Sequence, residues 1–287
     1  MSTRRLATGG QIDRGRPITF TWDGKTRTGY SGDTLASALI ANREEVIGRS
    51  FKYHRPRSVM SAGVEESGAI VTVGSGDRTE PNVKATMQEL YDGLEARGQN
   101  AWPSVRFDLG AVNNLLGRFL AAGFYYKIFM GIPPLEWGSG TGMWRRYERL
   151  IRRAAGMGEA SRLPDPDHYE HAHAFCDVLV VGAGPAGIAA AGAAAESGLD
   201  VVLVEQDNLL GGAQLSTPCG GSESIPSVQE LESSGVRVMT RTTAFGLYDY
   251  NVAGLVERVT DHLPDPPGYL PRQRFWTLRT KYTIVAA

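Results

Sequence analysis

A glycine-rich turn between two apolar runs constrains the fold of this chain more than any other feature. The run Cys176–Val181 leads directly into the string Gly-Ala-Gly-Pro-Ala-Gly at positions 182–187. The alanine-rich segment 188–197 follows, and a second apolar run, Asp200–Val204, ends on Glu205. Continuous apolar runs of this length are typical of strands buried on both faces of a parallel sheet. The sequence therefore predicts a strand–turn–helix–strand unit of the Rossmann type.

The three glycines of this turn suit the binding of a dinucleotide. Gly182 permits a tight turn, Gly184 lets the backbone approach a pyrophosphate, and Gly187 lets helix and strand pack closely. The diphosphate is expected at the helix N-terminus, where free N–H groups and the helix dipole favour negative charge. Glu205 is expected to accept hydrogen bonds from the adenosine ribose, and an acid there repels a 2′-phosphate. The site therefore favours NAD or FAD over NADP.

A second glycine pair, Gly211-Gly212, precedes Ala213. Such a pair is often found where a flavoprotein with two dinucleotide-binding domains brings its chain back over the cofactor. By itself it predicts only a loop.

Composition narrows the class of protein. The chain has 287 residues, with 30 Lys and Arg against 31 Asp and Glu, and this balance argues against a nucleic-acid binder. Only two cysteines occur, Cys176 and Cys219, so a disulfide framework is excluded and a reducing compartment is favoured. Neither a signal peptide nor a convincing membrane span is found, and we expect a cytoplasmic protein without a membrane partner.

The N-terminal part of the sequence predicts a small α+β unit of the β-grasp kind. Alternating residues on either side of Asp23-Gly24 indicate a β-hairpin over 17–30, a short helix is expected over 34–42, and a strand over 69–73. We assign residues 1–100 to this β-grasp domain.

Two helical segments, 108–129 and 143–155, separate the β-grasp domain from the Rossmann part. The arginines of the second segment are more typical of a helix that faces solvent or another subunit than of a nucleic-acid-binding surface. We assign 101–172 to a helical arm and linker, and 173–287 to the dinucleotide-binding domain. The fold class is thus α/β, a Rossmann-type domain that is incomplete at its C-terminus, preceded by an α+β β-grasp domain and a helical arm.

Specific strings of residues along the whole chain resemble one known family. They are Gly48–Arg57, Glu65–Val73, Asn82–Ala85, Trp102-Pro103, Ala154–Gly158, Asp177–Gly187 and Arg241–Asp249. On these strings the chain resembles the N-terminal part of the alpha subunits of heterotetrameric sarcosine oxidases.

The resemblance implies an oxidoreductase complex. The family oxidises the N-methyl group of sarcosine, which gives glycine and H₂O₂, and tetrahydrofolate captures the one-carbon unit. FAD in the beta subunit and FMN at the alpha/beta contact carry the electrons, while the alpha subunit holds NAD. The implied partners are the beta, gamma and delta subunits, with sarcosine and tetrahydrofolate bound outside these residues. No residue of this chain is therefore assigned a catalytic role.

Candidate cofactor contacts follow from the glycine turn and from the resemblance. The resemblance implies NAD contacts beside the third glycine, at the end of the second strand, in the glycine-pair loop and on a later strand. The complete candidate set is Gly182, Gly184, Pro185, Ala186, Gly187, Val204, Glu205, Gln206, Gly212, Ala213 and Ala244.

The chain departs from the family in two places. It stops after a predicted strand, Lys281–Ala287, that in the family runs on into further dinucleotide-binding and folate-binding parts, so we expect either a truncated product or a fragment. The N-terminal unit also resembles a ferredoxin-like domain that elsewhere holds a [2Fe–2S] cluster. Such clusters need thiolate ligands, and no cysteine occurs between Arg55 and Val73. We therefore expect the fold without the cluster.

Several alternatives remain open from the sequence. The segment His168–Cys176 offers three imidazoles and a thiol, but their spacing matches no standard zinc motif, so a surface approach to the first strand is favoured and no metal ligand is assigned. His54 is either a general base or flavin neighbour, or, as we favour, part of an arginine-rich loop that seats the small domain. The alternative functions are an FAD-binding subunit of an amino-acid or opine dehydrogenase and a non-catalytic scaffold subunit.

Overall fold

The structure, a computed structural model, describes residues 4–115, 158–215 and 225–287. The chain divides into two units, residues 1–165 and 166–287. The predicted helical segment 143–155 and most of 108–129 lie outside the described residues, as does Cys219. The described start of the first segment forms a 3₁₀ helix, Leu109–Asn114.

The first unit contains a mixed sheet of five strands and one short α-helix. Its elements are β1 (Asp13–Trp22), β2 (Lys25–Ser31), α1 (Leu35–Ala41), β3 (Gly48–Arg49), β4 (Pro56–Arg57), β5 (Ile70–Val73), β6 (Glu80–Lys84) and β7 (Glu95–Gly98). The sheet order is β2-β1-β7-β5-β6, with β7 parallel to β1 and the other neighbours antiparallel. Strands β3 and β4 pair separately.

The predicted hairpin and helix of this unit are present. Asp23 and Gly24 join β1 to β2 with positive φ angles of 46° and 74°, the conformation that a two-residue hairpin turn requires. Helix α1 begins after Thr34, whose hydroxyl accepts from the N–H of Ser37 while the Ser37 hydroxyl accepts from the N–H of Thr34. This reciprocal cap satisfies two N–H groups that the helix itself leaves unpaired.

The core of the first unit lies between α1 and the sheet. Leu35 and Leu39 of the helix are fully buried against Phe20 and Trp22 of β1 and Val71 of β5. The burial of these large side chains is the main stabilising contribution that such a unit can obtain. The predicted small α+β unit is therefore confirmed.

The second unit contains one six-stranded sheet. Its elements are β8 (Tyr169–Val181), α2 (Pro185–Glu196), β9 (Val201–Val204), α3 (Val228–Ser233), β10 (Val236–Met239), β11 (Thr242–Tyr248), β12 (Val252–Arg258) and β13 (Gln273–Val285). The sheet order is β10-β9-β8-β13-β12-β11. Strands β10, β9, β8 and β13 are parallel, whereas β12 and β11 continue the sheet in antiparallel pairs. This arrangement confirms the predicted Rossmann-type fold.

Two hydrophobic cores explain the continuous apolar runs. Val180 and Leu203 face the helices α2 and α3, while Leu179 and Val202 face the opposite core, which includes Leu278 of β13. Because both faces of β8 and β9 are covered, neither strand shows the alternation of a half-exposed strand.

Strand β8 is longer than the apolar run that predicted it. The sequence analysis expected 168–175 to be a surface approach, whereas β8 already begins at Tyr169. This first half pairs with β13 from Gln273 onward, and its side chains alternate between exposed and half-buried. The strand extends because a distant partner supplies its hydrogen bonds, which local hydrophobicity does not reveal.

Candidate functional site

The glycine turn connects β8 to α2 at the carboxyl end of the parallel strands. Gly182 has a φ of +98°, and a Cβ there would lie 2.9 Å from the carbonyl oxygen of Ala286. Gly184 forms the N-cap of α2, and Pro185 occupies its first turn, where the missing N–H costs the helix no hydrogen bond. The turn thus places a helix N-terminus at the edge of the sheet where α/β folds bind ligands.

The third glycine is a steric requirement of this turn. A Cβ on Gly187 would lie 1.8 Å from the carbonyl oxygen of Gly182, far inside van der Waals contact. The predicted role of Gly187 in close packing is therefore consistent with the geometry.

Space remains open above the middle glycine. A Cβ on Gly184 would meet nothing within 4 Å, and the neighbouring Pro185 and Ala186 are exposed. The first N–H groups of an α-helix have no acceptor within the helix, so they point toward such a space with a partial positive charge. An anionic group can approach the backbone here.

Glu205 is held directly against the glycine turn. One carboxylate oxygen accepts from the N–H of Ala183 at 2.7 Å, and the other accepts from the N–H of Asp207 at 3.0 Å. The residue is only 8% exposed. A carboxylate has about four acceptor positions, so two backbone bonds orient it and leave capacity for hydroxyl donors.

The second glycine pair closes against the turn. The N–H of Gly211 donates to the carbonyl of Ala183 at 2.8 Å, and a Cβ on Gly212 would lie 3.2 Å from the Cα of Gly184. Gly212 and Ala213 are exposed. The loop that the sequence alone could not assign therefore lies beside the proposed phosphate position.

The remaining candidates contribute through their backbones. The side chain of Val204 is buried in the core, and its carbonyl accepts from the N–H of Gly182 at 2.9 Å. The carbonyl of Gln206 accepts from Arg258 at 2.9 Å. Ala244 is half-buried on β11, two residues after Thr242.

Strand β11 is tied to the end of β9. The N–H of Thr242 donates to the carbonyl of Glu205 at 2.7 Å, and the N–H of Glu205 donates to Met239 at 2.9 Å. Strands β9, β10 and β11 therefore meet at Glu205, whose partner Thr242 lies two residues before Ala244 on β11.

The sequence analysis missed two residues of this arrangement. Ala183 both donates to Glu205 and accepts from Gly211, so its backbone links the turn to two other segments. Its position inside the glycine string was the only available signal. Arg258 anchors Gln206 from a strand far along the chain, and no local pattern marks it.

The structure gives His54 and His171 contacts within the protein. His54 pairs with Asp108 at 2.7 Å, and its ring lies where a Cβ on Gly110 would be. His171 packs against Phe275 in a tilted arrangement, with ring centroids 5.2 Å apart. Within the part of the chain that the structure describes, no group of three or more His, Cys, Asp or Glu side chains could hold a metal ion.

Cys176 is a buried structural residue. Burial raises the pKa of its thiol, and the side chain is fully inaccessible in the core that also contains Leu179 of β8 and Leu278 of β13. A thiol in such surroundings is neither a nucleophile nor a ready ligand.

Among the described residues there is no helix long and apolar enough to cross a membrane.

Comparison with known families agrees with this geometry. Residues 15–101 match a family described as a 2Fe-2S iron-sulfur cluster binding domain, and residues 177–246 match one described as FAD dependent oxidoreductase. A crystal structure of L-proline dehydrogenase from P. horikoshii matches 96% of the chain, which covers 41% of that protein, with a TM-score of 0.52 and 18% identity. The second unit thus has the Rossmann-type fold of a dinucleotide-binding domain and is similar to FAD dependent oxidoreductases over residues 177–246.

The sequence relatives are more specific. The chain is 52% identical over all of its length to the sarcosine oxidase subunit alpha of Rhizobium meliloti (strain 1021), of which it covers 29%. It is 31% identical, over 97% of its length, to the same subunit of Corynebacterium sp. (strain U-96), of which it covers 24%. The chain is therefore a homologue of sarcosine oxidase alpha subunits, and it spans less than a third of the length of these relatives.

The iron–sulfur cluster that the first of these families implies does not fit residues 15–101 of this chain. Residues 15–101 contain no cysteine, and both cysteines of the sequence lie beyond that range. A cluster of this kind is held by thiolates, normally four, with imidazole replacing two of them in one class. The corresponding loop instead surrounds a carboxylate, that of Glu66. The expectation of a ferredoxin-like fold without its cluster agrees with this donor set.

Proposed function

We propose that this chain binds NAD at the edge of the parallel sheet, as part of the alpha subunit of a multi-subunit sarcosine oxidase. The observation that carries the proposal is the position of Glu205, whose carboxylate is hydrogen-bonded to the glycine turn beside the open space above Gly184. An oriented acid next to an exposed helix N-terminus is the combination that recognises a ribose and a diphosphate together.

Each part of the dinucleotide has a proposed set of contacts. The diphosphate lies at Gly184, Pro185 and Ala186, with Gly182 and Gly187 shaping the turn. The adenosine ribose hydroxyls donate to Glu205. Backbone groups of the remaining candidates contact the adenosine and close the loop side of the site; these are Val204, Gln206, Gly212, Ala213 and Ala244.

These contacts orient and retain the nucleotide, and no proton transfer is assigned to this chain. A nicotinamide dinucleotide supplies hydride-transfer capacity where a substrate reaches its ring. The residues at this site are glycines, alanines, a proline, a valine, a glutamine and one acid, and the acid is engaged by two backbone N–H groups. The chain therefore acts here by binding.

FAD in the same site is the second candidate. It is favoured by the match of residues 177–246 to the family described as FAD dependent oxidoreductase. The same diphosphate and ribose contacts serve either nucleotide, because both contain adenosine diphosphate. An FAD-containing chain would belong with the amino-acid and opine dehydrogenase type of subunit.

The reaction of the whole assembly is proposed from the relatives. It is the oxidation of sarcosine to glycine with formation of H₂O₂ and transfer of the one-carbon unit to tetrahydrofolate. The beta, gamma and delta subunits are the proposed partners, with FAD and FMN held in the rest of the complex. Sarcosine and tetrahydrofolate bind outside these 287 residues.

The nucleotide is identified by denaturing the purified protein and separating the released compounds by chromatography. Release of NAD supports the first candidate, and release of FAD supports the second. The absence of any nucleotide, together with no heat on calorimetric titration with either compound, contradicts both and leaves a scaffold role.

Glu205→Gln tests the ribose contact. We expect its affinity for the nucleotide to fall about tenfold to a hundredfold, because a neutral amide accepts hydroxyl hydrogen bonds more weakly than a carboxylate. Glu196→Gln is the matched control, since Glu196 is an exposed acid at the far end of α2 and its loss changes the net charge equally. Equal affinities of the two variants in calorimetry would contradict the assignment.

A further inference from the structure

The loop between β4 and β5 folds around a single carboxylate. Glu66 lies in this loop and is only 2% exposed. One of its carboxylate oxygens accepts from the N–H of Met60 at 2.6 Å and from that of Ser61 at 2.8 Å. The other accepts from the N–H groups of Gly68 and Ala69, the latter at 2.9 Å. Every one of these four donors is a backbone group.

The four donors form two pairs of successive N–H groups. Adjacent backbone N–H groups that point into one concavity constitute an anion-binding nest, an arrangement that recurs at phosphate and iron–sulfur sites. Here Met60 and Ser61 form one pair, and Gly68 and Ala69 form the other. The pairs converge on opposite oxygens of the same carboxylate.

The loop backbone is packed too closely for this arrangement to be incidental. A Cβ on Gly68 would lie 2.3 Å from the carbonyl oxygen of Ser58, so the two ends of the loop touch through their backbones. The loop is also bound to the end of β6 and to Thr86 just after it. Lys84 of β6 donates to the carbonyl of Val64, and Thr86 donates to the carbonyl of Gly63 at 2.8 Å. The concavity is thus fixed from several sides.

We propose that the loop from Ser58 to Ala69 is an anion-binding site whose resident ligand is the carboxylate of Glu66, so that this domain is anchored by its own side chain and not by an iron–sulfur cluster. The matching family holds a cluster, which is an anion that requires thiolates and accepts N–H hydrogen bonds. Residues 15–101 of this chain contain no cysteine, and four N–H donors of the loop are already used by Glu66.

The proposal defines the ligand that the loop would accept in place of Glu66. Truncation of the side chain to alanine removes a CH₂ group and a carboxylate, which together approximate acetate in size and charge. The chemical class of an external ligand is therefore a small carboxylate. Chloride lacks two oxygens to meet both pairs of donors, so it serves as the salt control.

The experiment measures amide hydrogen exchange by NMR in the full chain. In Glu66→Ala we expect the N–H groups of residues 60, 61, 68 and 69 to exchange at least about tenfold faster than in the unmodified protein. About 100 mM sodium acetate is expected to restore most of this protection, whereas sodium chloride at equal ionic strength is not. Added acetate leaves the unmodified protein unchanged.

Glu66→Gln provides a sharper variant that keeps the shape of the side chain. Its carbonyl oxygen can accept from one pair of donors, but its NH₂ group faces the other pair. We therefore expect two of the four amides to lose protection and two to keep it. Should Glu66→Ala fail to fold, the loss of protection at two of the four amides in Glu66→Gln still tests the proposal.

Glu65→Gln is the matched control, because Glu65 is an exposed acid in the same loop and its loss changes the charge equally. We expect its four loop amides to exchange as in the unmodified protein. The proposal is overturned if all four amides stay protected in Glu66→Gln, if acetate protects Glu66→Ala no better than chloride does, or if Glu65→Gln exposes the loop to the same extent. These outcomes are independent of nucleotide binding in the second unit.

Discussion

At the scale of single residues, two buried acids of this chain both accept hydrogen bonds from backbone N–H groups but differ in how many acceptor positions remain free. Glu205 uses two backbone N–H donors and retains acceptor capacity at the edge of an open space. Glu66 uses four donors and is enclosed. The number of donors therefore separates an acid that is available to a ligand from one that holds its own loop together.

The enclosure of Glu66 predicts a specific dependence of stability on pH. Burial alone would raise the pKa of this carboxyl, but the four backbone hydrogen bonds outweigh it and lower the pKa from 4.5 to about 2. A depressed pKa means that the stabilisation is present above the ordinary value and is lost as the pH falls from about 5 toward 2. The contribution at neutral pH is at most about 3 kcal/mol.

This prediction is checked by urea unfolding of the unmodified protein and Glu66→Gln at several pH values. We expect the difference in unfolding free energy between the two proteins to be largest near neutrality and to shrink as the acid titrates. Glu65→Gln, the exposed neighbour, corrects for the general effect of removing one charge. A difference that stays constant from pH 7 to pH 3 would be inconsistent with the lowered pKa.

At the scale of elements, helix α2 contains two glycines with different surroundings. Gly187 lies in its first turn against the carbonyl of Gly182, whereas Gly192 lies further along, where a Cβ would meet nothing within 4 Å. The two positions share one helix and differ only in what surrounds them. Substitutions at the two positions therefore separate the cost of a steric clash from the gain in helix propensity.

Substituting each glycine by alanine gives opposite expected effects. Gly187→Ala forces the helix away from the turn and should destabilise the second unit by about 2–3 kcal/mol. Gly192→Ala should stabilise it by about 0.5–1 kcal/mol, because alanine is the better helix former. Unfolding followed by circular dichroism measures both. If Gly187→Ala were as stable as Gly192→Ala, the close approach of the helix to the turn would be wrong.

At the scale of the whole molecule, the two units differ in what they offer a small ligand. The first unit satisfies its buried acids internally: Asp33 pairs with Arg5, and Glu44 pairs with Arg27 and Arg106. The second unit exposes a helix N-terminus beside an oriented acid. Ligand binding by this chain is therefore expected in the second unit.

Thermal unfolding with different nucleotides tests that expectation on the full chain. A ligand that binds only the folded state at about 100 times its Kd stabilises the protein by about 2.7 kcal/mol, so NAD should raise the Tm. NADP should raise it much less, since its 2′-phosphate would meet the Glu205 carboxylate. Equal shifts with NAD and NADP would contradict the role of Glu205 at the ribose.

Most of the geometry of the candidate site could be predicted from the sequence. Gly182, Gly187 and Glu205 are recognisable because a strand, a tight turn, a helix and a second strand follow one another directly, so their spacing encodes their proximity. For Gly212 the sequence predicted only a loop, since the contact of this loop with Gly184 depends on the path of the chain in the folded protein. The full length of β8 was also missed, because its first half depends on pairing with β13.

The sequence by itself determined the class of fold and the identity of the acid at the end of β9, because apolar runs, glycines and their spacing act over short distances along the chain. Only the tertiary structure decided what Glu66 does. Its four donors come from both sides of a loop, and no periodicity or motif indicates that their N–H groups converge on one carboxylate. Backbone donors are present at nearly every residue, so their convergence is a property of the folded loop and not of the residue types.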